Sequence, residues 1–220
     1  MLVNEFICCR LAQSLGLPIN PPVLVDVDAR LLVAPKAQGK CPDFLKGGVH
    51  CGLVRYPSAS IVDVGSGLLQ NSANVLELHD VAIFEQLVLR GDGRQLLTYP
   101  LGVASSGASR RFAAFDYGFA FGGAPNWTSA SVRGLPPPVL PIQDPWGAPY
   151  ADGVLQRSMI DRLREMRPGS MEAVIEAIAP PRWGLTLDEG EAIVAMIPER
   201  AKDLVQQYDA LYFPLLKAKP

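Results

Sequence analysis

The sequence predicts an α+β fold, and three observations predict it. The chain opens and closes on segments whose apolar residues recur at helical spacing. A segment over 75–89 is apolar nearly all round, as a helix in the middle of a fold would be. Short β-branched and aromatic runs lie between these, separated by Gly, Pro and Ser, and two of them can form a hairpin.

The first helix is predicted from Leu2 to Leu15. Val3, Phe6, Ile7, Leu11 and Leu15 make one stripe, Gly16 is placed to end it, and Pro18 prevents its continuation. Val23–Val27 and Leu31–Ala34 then read as two strands joined by an Asp28-Ala29-Arg30 turn. From Pro35 to Ser72 the chain is rich in Gly, Pro and Ser, with one more strand within Val49–Tyr56. Val75–Leu89 is the central helix. Gln95–Tyr99 and Arg111–Phe115 pair around a Gly/Ser-rich loop at 102–109. Leu135–Pro149 is a proline-rich crossing, suited to a stiff linker or to a partner's proline-recognising groove.

After Tyr150 the chain reads as helical. Leu155, Met159, Leu163 and Met166 mark one stripe, and Ser170 is placed to cap a helix running to Ile178. Thr186 and Glu189 have capping-box spacing for the next helix. Pro198 fits the first turn of a last helix, whose buried side carries Leu204, Val205, Tyr208 and Leu211. No internal repeat is present.

Composition narrows the class. At 220 residues and 49% apolar, the chain can bury a full core as one domain. Its formal net charge is −2, and no Lys/Arg-rich face emerges, which argues against a reader of the nucleic-acid backbone. No apolar run reaches the roughly 18 residues that span a bilayer. The N-terminal segment carries Glu5 and no basic cluster, unlike a secretory leader. A soluble, cytoplasmic protein is expected. Of the cysteines, Cys8, Cys9, Cys41 and Cys51, the last two could join His50 at a zinc ion. That spacing matches no common zinc module and lacks a fourth ligand, so buried free thiols are the better reading.

Two aspartates carry the candidate chemistry. Asp92 follows the central helix in Gly91-Asp92-Gly93-Arg94, and Asp116 closes the run Phe112-Ala113-Ala114-Phe115. Kinase-type phosphotransferases place one carboxylate by the attacking hydroxyl and another on magnesium in this way. Asp and Gly are also ordinary turn residues that simply end an element.

The order of landmarks resembles the HipA-like kinases. The opening Leu2-Val3-Asn4-Glu5-Phe6 and the Leu15-Gly16-Leu17-Pro18 stop lead into the strand Val23–Val27, as in that family's "NE…LA..LGLP" helix. Phe84–Leu97 is similar to its catalytic-loop region and Phe115–Phe121 to its metal-aspartate region. Pro180-Pro181-Arg182-Trp183, then a helix with Arg200, Leu204 and Leu211, resemble its tail. The resemblance implies a protein-kinase-like fold, with 1–72 as a partial N-terminal lobe and 73–220 as a mostly helical C-terminal lobe in one compact unit. It implies ATP and Mg²⁺ as cofactors. Asp92 matches the catalytic aspartate and Asp116 the magnesium ligand. Glu5 lies on the helix that in kinases supplies a glutamate to the nucleotide-holding lysine.

The departures are specific. Where the family has Arg after the aspartate and then Asn as second metal ligand, this chain has Gly93 and Arg94, with Gln95 as the nearest amide. Arg90 stands where Asn is usual; a guanidinium there either binds phosphate or opposes the metal. The family's phosphate-covering strands and lysine precede the landmark helix, which here opens the sequence. Lys36, Lys40 and Lys46 come after it and read as surface charges, and Gly47-Gly48 and Gly65-Ser66-Gly67 as loop punctuation.

Three functions are therefore expected in descending order. The first is ATP- and Mg-dependent transfer to a hydroxyl, of the serine/threonine kinase class, aided by a partner polypeptide that completes the N-terminal lobe. The second is an inactive pseudokinase that acts as an interaction module. The third, an unrelated hydrolase using the two aspartates, is thin, because His50 and His79 flank no convincing nucleophile.

Overall fold

The computed structural model describes residues 2–39, 46–101, 109–122, 127–151, 153–176 and 183–217. Helix α1 (Leu2–Ser14) buries Phe6, Ile7 and Leu11 and stops at Gly16, whose φ of 67° is the left-handed turn glycine permits. The chain then runs beside a sheet: Asn20 N–H donates to the Ala114 carbonyl at 2.9 Å and Ala114 N–H to the Pro18 carbonyl at 2.8 Å.

Strand β1 (Pro22–Val27) forms as expected, but its partner does not. Leu31–Ala34, expected as a strand, is helical, in a 3₁₀ turn (Ala29–Leu32) that leads into α2 (Val33–Ala37). Asp28 causes this: its side chain accepts the Arg30 N–H at 2.9 Å and caps the turn. β1 pairs instead with β2 (Gly48–Leu53), antiparallel, with Val25 opposite His50. Trp183 braces this sheet against α1, with its indole N–H on the Val49 carbonyl at 2.7 Å and its ring edge-on to Phe6. Cys41, Lys40 and Pro180–Arg182 lie outside the described residues, as does most of the 102–109 loop. Cys8 and Cys9 are buried free thiols, and Cys51 is a half-buried one.

After β3 (Ser60–Val62) and α3 (Gly67–Gln70), a 3₁₀ turn at Val75–Glu77 opens α4 (Leu78–Leu87). This is the expected central helix, and nine of its ten residues are buried. β4 (Gln95–Pro100) and β5 (Arg110–Phe115) form the hairpin, with Gln95 opposite Phe115 and Leu97 opposite Ala113, and β3 lies on the other side of β4. Leu96, Phe112 and Ala114 share the face turned into the core, as the period of two requires.

The helical tail holds α5 (Ser129–Arg133), α6 (Arg157–Arg164), α7 (Pro168–Glu176) and α8 (Leu187–Lys217). Two expected boundaries move. α7 starts at Pro168, so Ser170 lies inside it. The helix expected from the Thr186–Glu189 box and the last helix expected at Pro198 are one, α8, which starts at that box: Glu189 N–H reaches Thr186 Oγ1 at 3.2 Å, and Thr186 N–H reaches Glu189 Oε2 at 2.8 Å. Burial of Ile193, Ile197, Ala201, Leu204 and Tyr208 along one face carries the helix through the proline. The proline-rich crossing is fastened to α8, with Gln207 bonded to both Leu140 N–H and the Pro138 carbonyl. Among the described residues, no helix is long and apolar enough to cross a membrane.

Candidate functional site

The site forms where the exit of α4 meets the end of β5. α4 delivers the segment 88–94, and the hairpin returns the chain as 116–122. The two bond to each other: Phe121 N–H to the Val88 carbonyl at 2.8 Å, Gly91 N–H to the Phe119 carbonyl at 2.9 Å, and Gly122 N–H to the Leu89 carbonyl at 3.2 Å. Leu89, Asp116 and Phe121 all have left-handed φ, of 47°, 61° and 59°. They are three of the four non-glycine residues in that region among those described. Such strain persists only where surrounding contacts over-determine the backbone, and it gathers at functional sites.

Asp92 is held by Arg90, whose Nε donates to Asp92 Oδ1 at 2.9 Å; the carboxylate remains 26% exposed. Arg90 itself points inward and is only 2% exposed. It also donates to the Gly93 carbonyl at 2.7 Å, lies 3.4 Å from Glu85 Oε1, and covers the Tyr117 ring at 5.0 Å. Burial works against its charge, but Asp92 and Glu85 outweigh it and hold the guanidinium firmly protonated.

Asp116 sits across the hairpin. Gln95 Nε2 donates to its Oδ2 at 2.7 Å. Its backbone N–H donates to Glu5 Oε1 at 3.1 Å, and the next N–H, of Tyr117, donates to Glu5 Oε2. Glu5 thus spends both oxygens on the backbone of this segment, with Cys9 Sγ as a further donor at 3.3 Å. Burial pushes the Glu5 carboxyl above its ordinary range, aided by the nearby Asp116 charge and opposed by these hydrogen bonds. Asn4 extends the bracket, with its amide on the Gly118 and Ala120 carbonyls at 3.0 and 3.2 Å. The Asn4-Glu5 pair therefore fixes the whole turn after Asp116.

All five residues nominated from the sequence, Glu5, Arg90, Asp92, Gln95 and Asp116, lie in this junction. Arg90 with Asp92 forms one linked set and Glu5, Asp116 and Gln95 the other; Tyr117 under Arg90 joins them. Sequence reasoning missed Glu85, Arg94 and Tyr117. Glu85 receives Arg94 Nε at 3.0 and 2.9 Å on its two oxygens, which ties the loop's far end back to α4. Its signal was a carboxylate near the end of an otherwise apolar helix. The Tyr117 hydroxyl is buried without a hydrogen-bond partner among the described residues, and its sequence carries no sign of this.

A cation here would have few protein ligands. Among the described residues, no group of three His, Cys, Asp or Glu side chains could hold a metal ion. Magnesium tolerates that poverty, since it commonly takes one or two carboxylates plus substrate phosphates. Asp116 suits that role. Gln95 turns its N–H to Asp116, so as a second ligand it would offer its carbonyl oxygen.

No family model and no curated protein matches the chain. A solved structure does: a proinflammatory kinase of Helicobacter pylori, CtkA, with a TM-score of 0.51, over 96% of this chain and 84% of that one. The fold is kinase-like. At 14% identity the likeness is one of fold alone.

Proposed function

We propose that this chain is a kinase-type phosphotransferase of the HipA-like class, moving the terminal phosphate of ATP to a serine or threonine hydroxyl. The observation that carries the reading is the bonded pairing of 88–91 with 119–122, which brings the Asp92 loop and the Asp116 turn onto one strained, braced backbone unit. In the reaction the hydroxyl oxygen attacks the terminal phosphorus, the bond to the bridging oxygen breaks, and ADP departs. Asp92 orients the hydroxyl and accepts its proton. The Arg90 Nε–H bond to Oδ1 holds the carboxylate in place, so positioning is its main contribution. Asp116, with Gln95 beside it, would hold magnesium, which neutralises charge on the phosphates. Arg90 is turned away from solvent, which favours a part in bracing Asp92 over one in reaching phosphate.

Among the described residues, the β1–β2 sheet has two strands, and Val23, Leu24 and Val25 of β1 are exposed. Strands supplied by a partner would pair at such an edge and add groups that hold nucleotide. The alternative, an inactive interaction module, is favoured by the scarcity of carboxylates around Asp116 and by the commitment of Glu5 to backbone instead of a lysine.

The test is thermal unfolding with ATP and magnesium, together with phosphate transfer to a protein substrate. Ligand that binds only the folded state raises the midpoint. Asp116→Asn should abolish the magnesium-dependent part of that rise. Asp92→Asn should keep it and lose transfer by about a hundredfold or more. No rise in the wild type would leave the interaction module as the better account.

A further inference from the structure

The exit of α4 sets where Asp92 stands, so its carbonyls are worth following one by one, since a helix C-terminus leaves several without intrahelical donors. The Phe84 carbonyl takes Val88 N–H at 3.0 Å, and the Glu85 carbonyl takes Arg90 N–H at 3.0 Å. The Val88 and Leu89 carbonyls go to Phe121 and Gly122. Gln86 has only a long bond from Leu89 N–H, at 3.3 Å. A residue from the far end of the chain completes the set. Arg200 of α8 donates Nε to the Leu87 carbonyl and Nη2 to the Gln86 carbonyl, both at 2.7 Å, and Nη1 to the Pro136 carbonyl.

Arg200 is 4% exposed and forms no ion pair within 4.0 Å among the described residues. A buried guanidinium is costly even with Asp203 acting on it from beyond ion-pair distance, and a leucine or methionine would fill the same space more cheaply. Three carbonyls and the negative end of the α4 dipole stabilise it here. The contact lies just before Leu89 swings left-handed and the chain turns Arg90 inward and Asp92 toward the surface. We infer that Arg200 is a positioning residue, which sets the height and tilt of the Asp92 loop by gripping the last turn of α4 from α8. The inference rests on the phosphotransfer reading only where activity is the readout.

Three variants of the full chain test it. Arg200→Met keeps volume and loses every donor, Arg200→Lys keeps charge and one donor direction, and Arg200→Ala opens a space beside a surface hollow of about 370 Å³ that Leu135, Pro137 and Met196 also line. In Arg200→Met, exchange of the Leu89, Arg90 and Gly91 amides should quicken about tenfold or more while amides of α8 keep their protection. The turnover rate for transfer should fall about tenfold with the KM for ATP nearly unchanged. In Arg200→Ala, guanidinium ion at tens of millimolar should restore loop protection through the hollow, and urea should not. Arg200→Lys should fall between wild type and Arg200→Met, and it serves as the test if Arg200→Met does not fold. Wild-type exchange of those three amides in either variant, with only a uniform loss of stability, overturns the inference. If the wild type transfers no phosphate, the functional reading fails by itself, and the exchange and guanidinium measurements still decide for or against Arg200.

Discussion

Glu5 and Asp116 meet across 111 positions of sequence: a carboxylate on the first helix accepts the backbone N–H of the aspartate at 3.1 Å. The next N–H, of Tyr117, uses the other oxygen. The left-handed turn at Asp116 is therefore held from outside its own hairpin.

Glu5→Ala removes the acceptor of two backbone donors in a half-buried place. Each orphaned donor costs about 1–3 kcal/mol. A total loss of about 2–4 kcal/mol is expected, with Glu5→Gln losing less because one oxygen remains. Denaturant midpoints at constant slope measure both. Equal stability of Glu5→Ala and wild type would refute the bracket.

Arg90 and Asp92 should separate stability from function. Arg90 is inside, serves Asp92 and the Gly93 carbonyl and covers the Tyr117 ring, so Arg90→Ala loses these bonds and this packing and should cost about 3 kcal/mol, while Glu85 keeps its bonds from Arg94. Asp92 is partly exposed, so Asp92→Asn should cost under about 1 kcal/mol. The pair of unfolding curves checks the order, which the inward placement of Arg90 requires.

Asp80 predicts a pH dependence. It is buried at the start of α4, 3.4 Å from Arg162, which also donates to the Leu15 carbonyl at 2.8 Å. Burial pushes its carboxyl up to about 6, with Arg162 opposing and Glu77 adding. A carboxyl whose folded value lies above its unfolded value of about 4 favours folding most below pH 4, and this contribution fades as pH rises through 6. The stability difference between wild type and Asp80→Asn should therefore shift against wild type from pH 4 to pH 7. Urea midpoints across that range measure it, and a flat difference would contradict the burial argument.

Pro198 should be improvable. It stands in the interior of α8 and offers no N–H to the Val194 carbonyl four residues back. Pro198→Ala restores that donor and a better helix former, for a gain of about 1–2 kcal/mol. Thermal midpoints of the two proteins decide it. A loss would mean that the ring's packing outweighs the missing hydrogen bond.

What was legible by reading the chain were the features that residues within four positions of each other encode. The stripe of α1 and its stop at Gly16, the apolar α4, the alternating hairpin and the Thr186–Glu189 cap are of this kind. Asp92 and Asp116 could be nominated because each follows such an element. The misread boundaries failed to competing local signals: Asp28 capped a helical turn where the apolar run Leu31–Ala34 suggested a strand, and α8 runs on through Pro198, where a proline suggested a new helix.

Tertiary structure alone decided which partner each charged group took. Glu5 went to the Asp116 turn, Arg90 inward to Asp92 and Glu85, and Arg200 to the end of α4. Periodicity and capping act through the backbone over one or two turns, whereas the partner of a buried charge is whatever unsatisfied group the packing brings within about 3 Å.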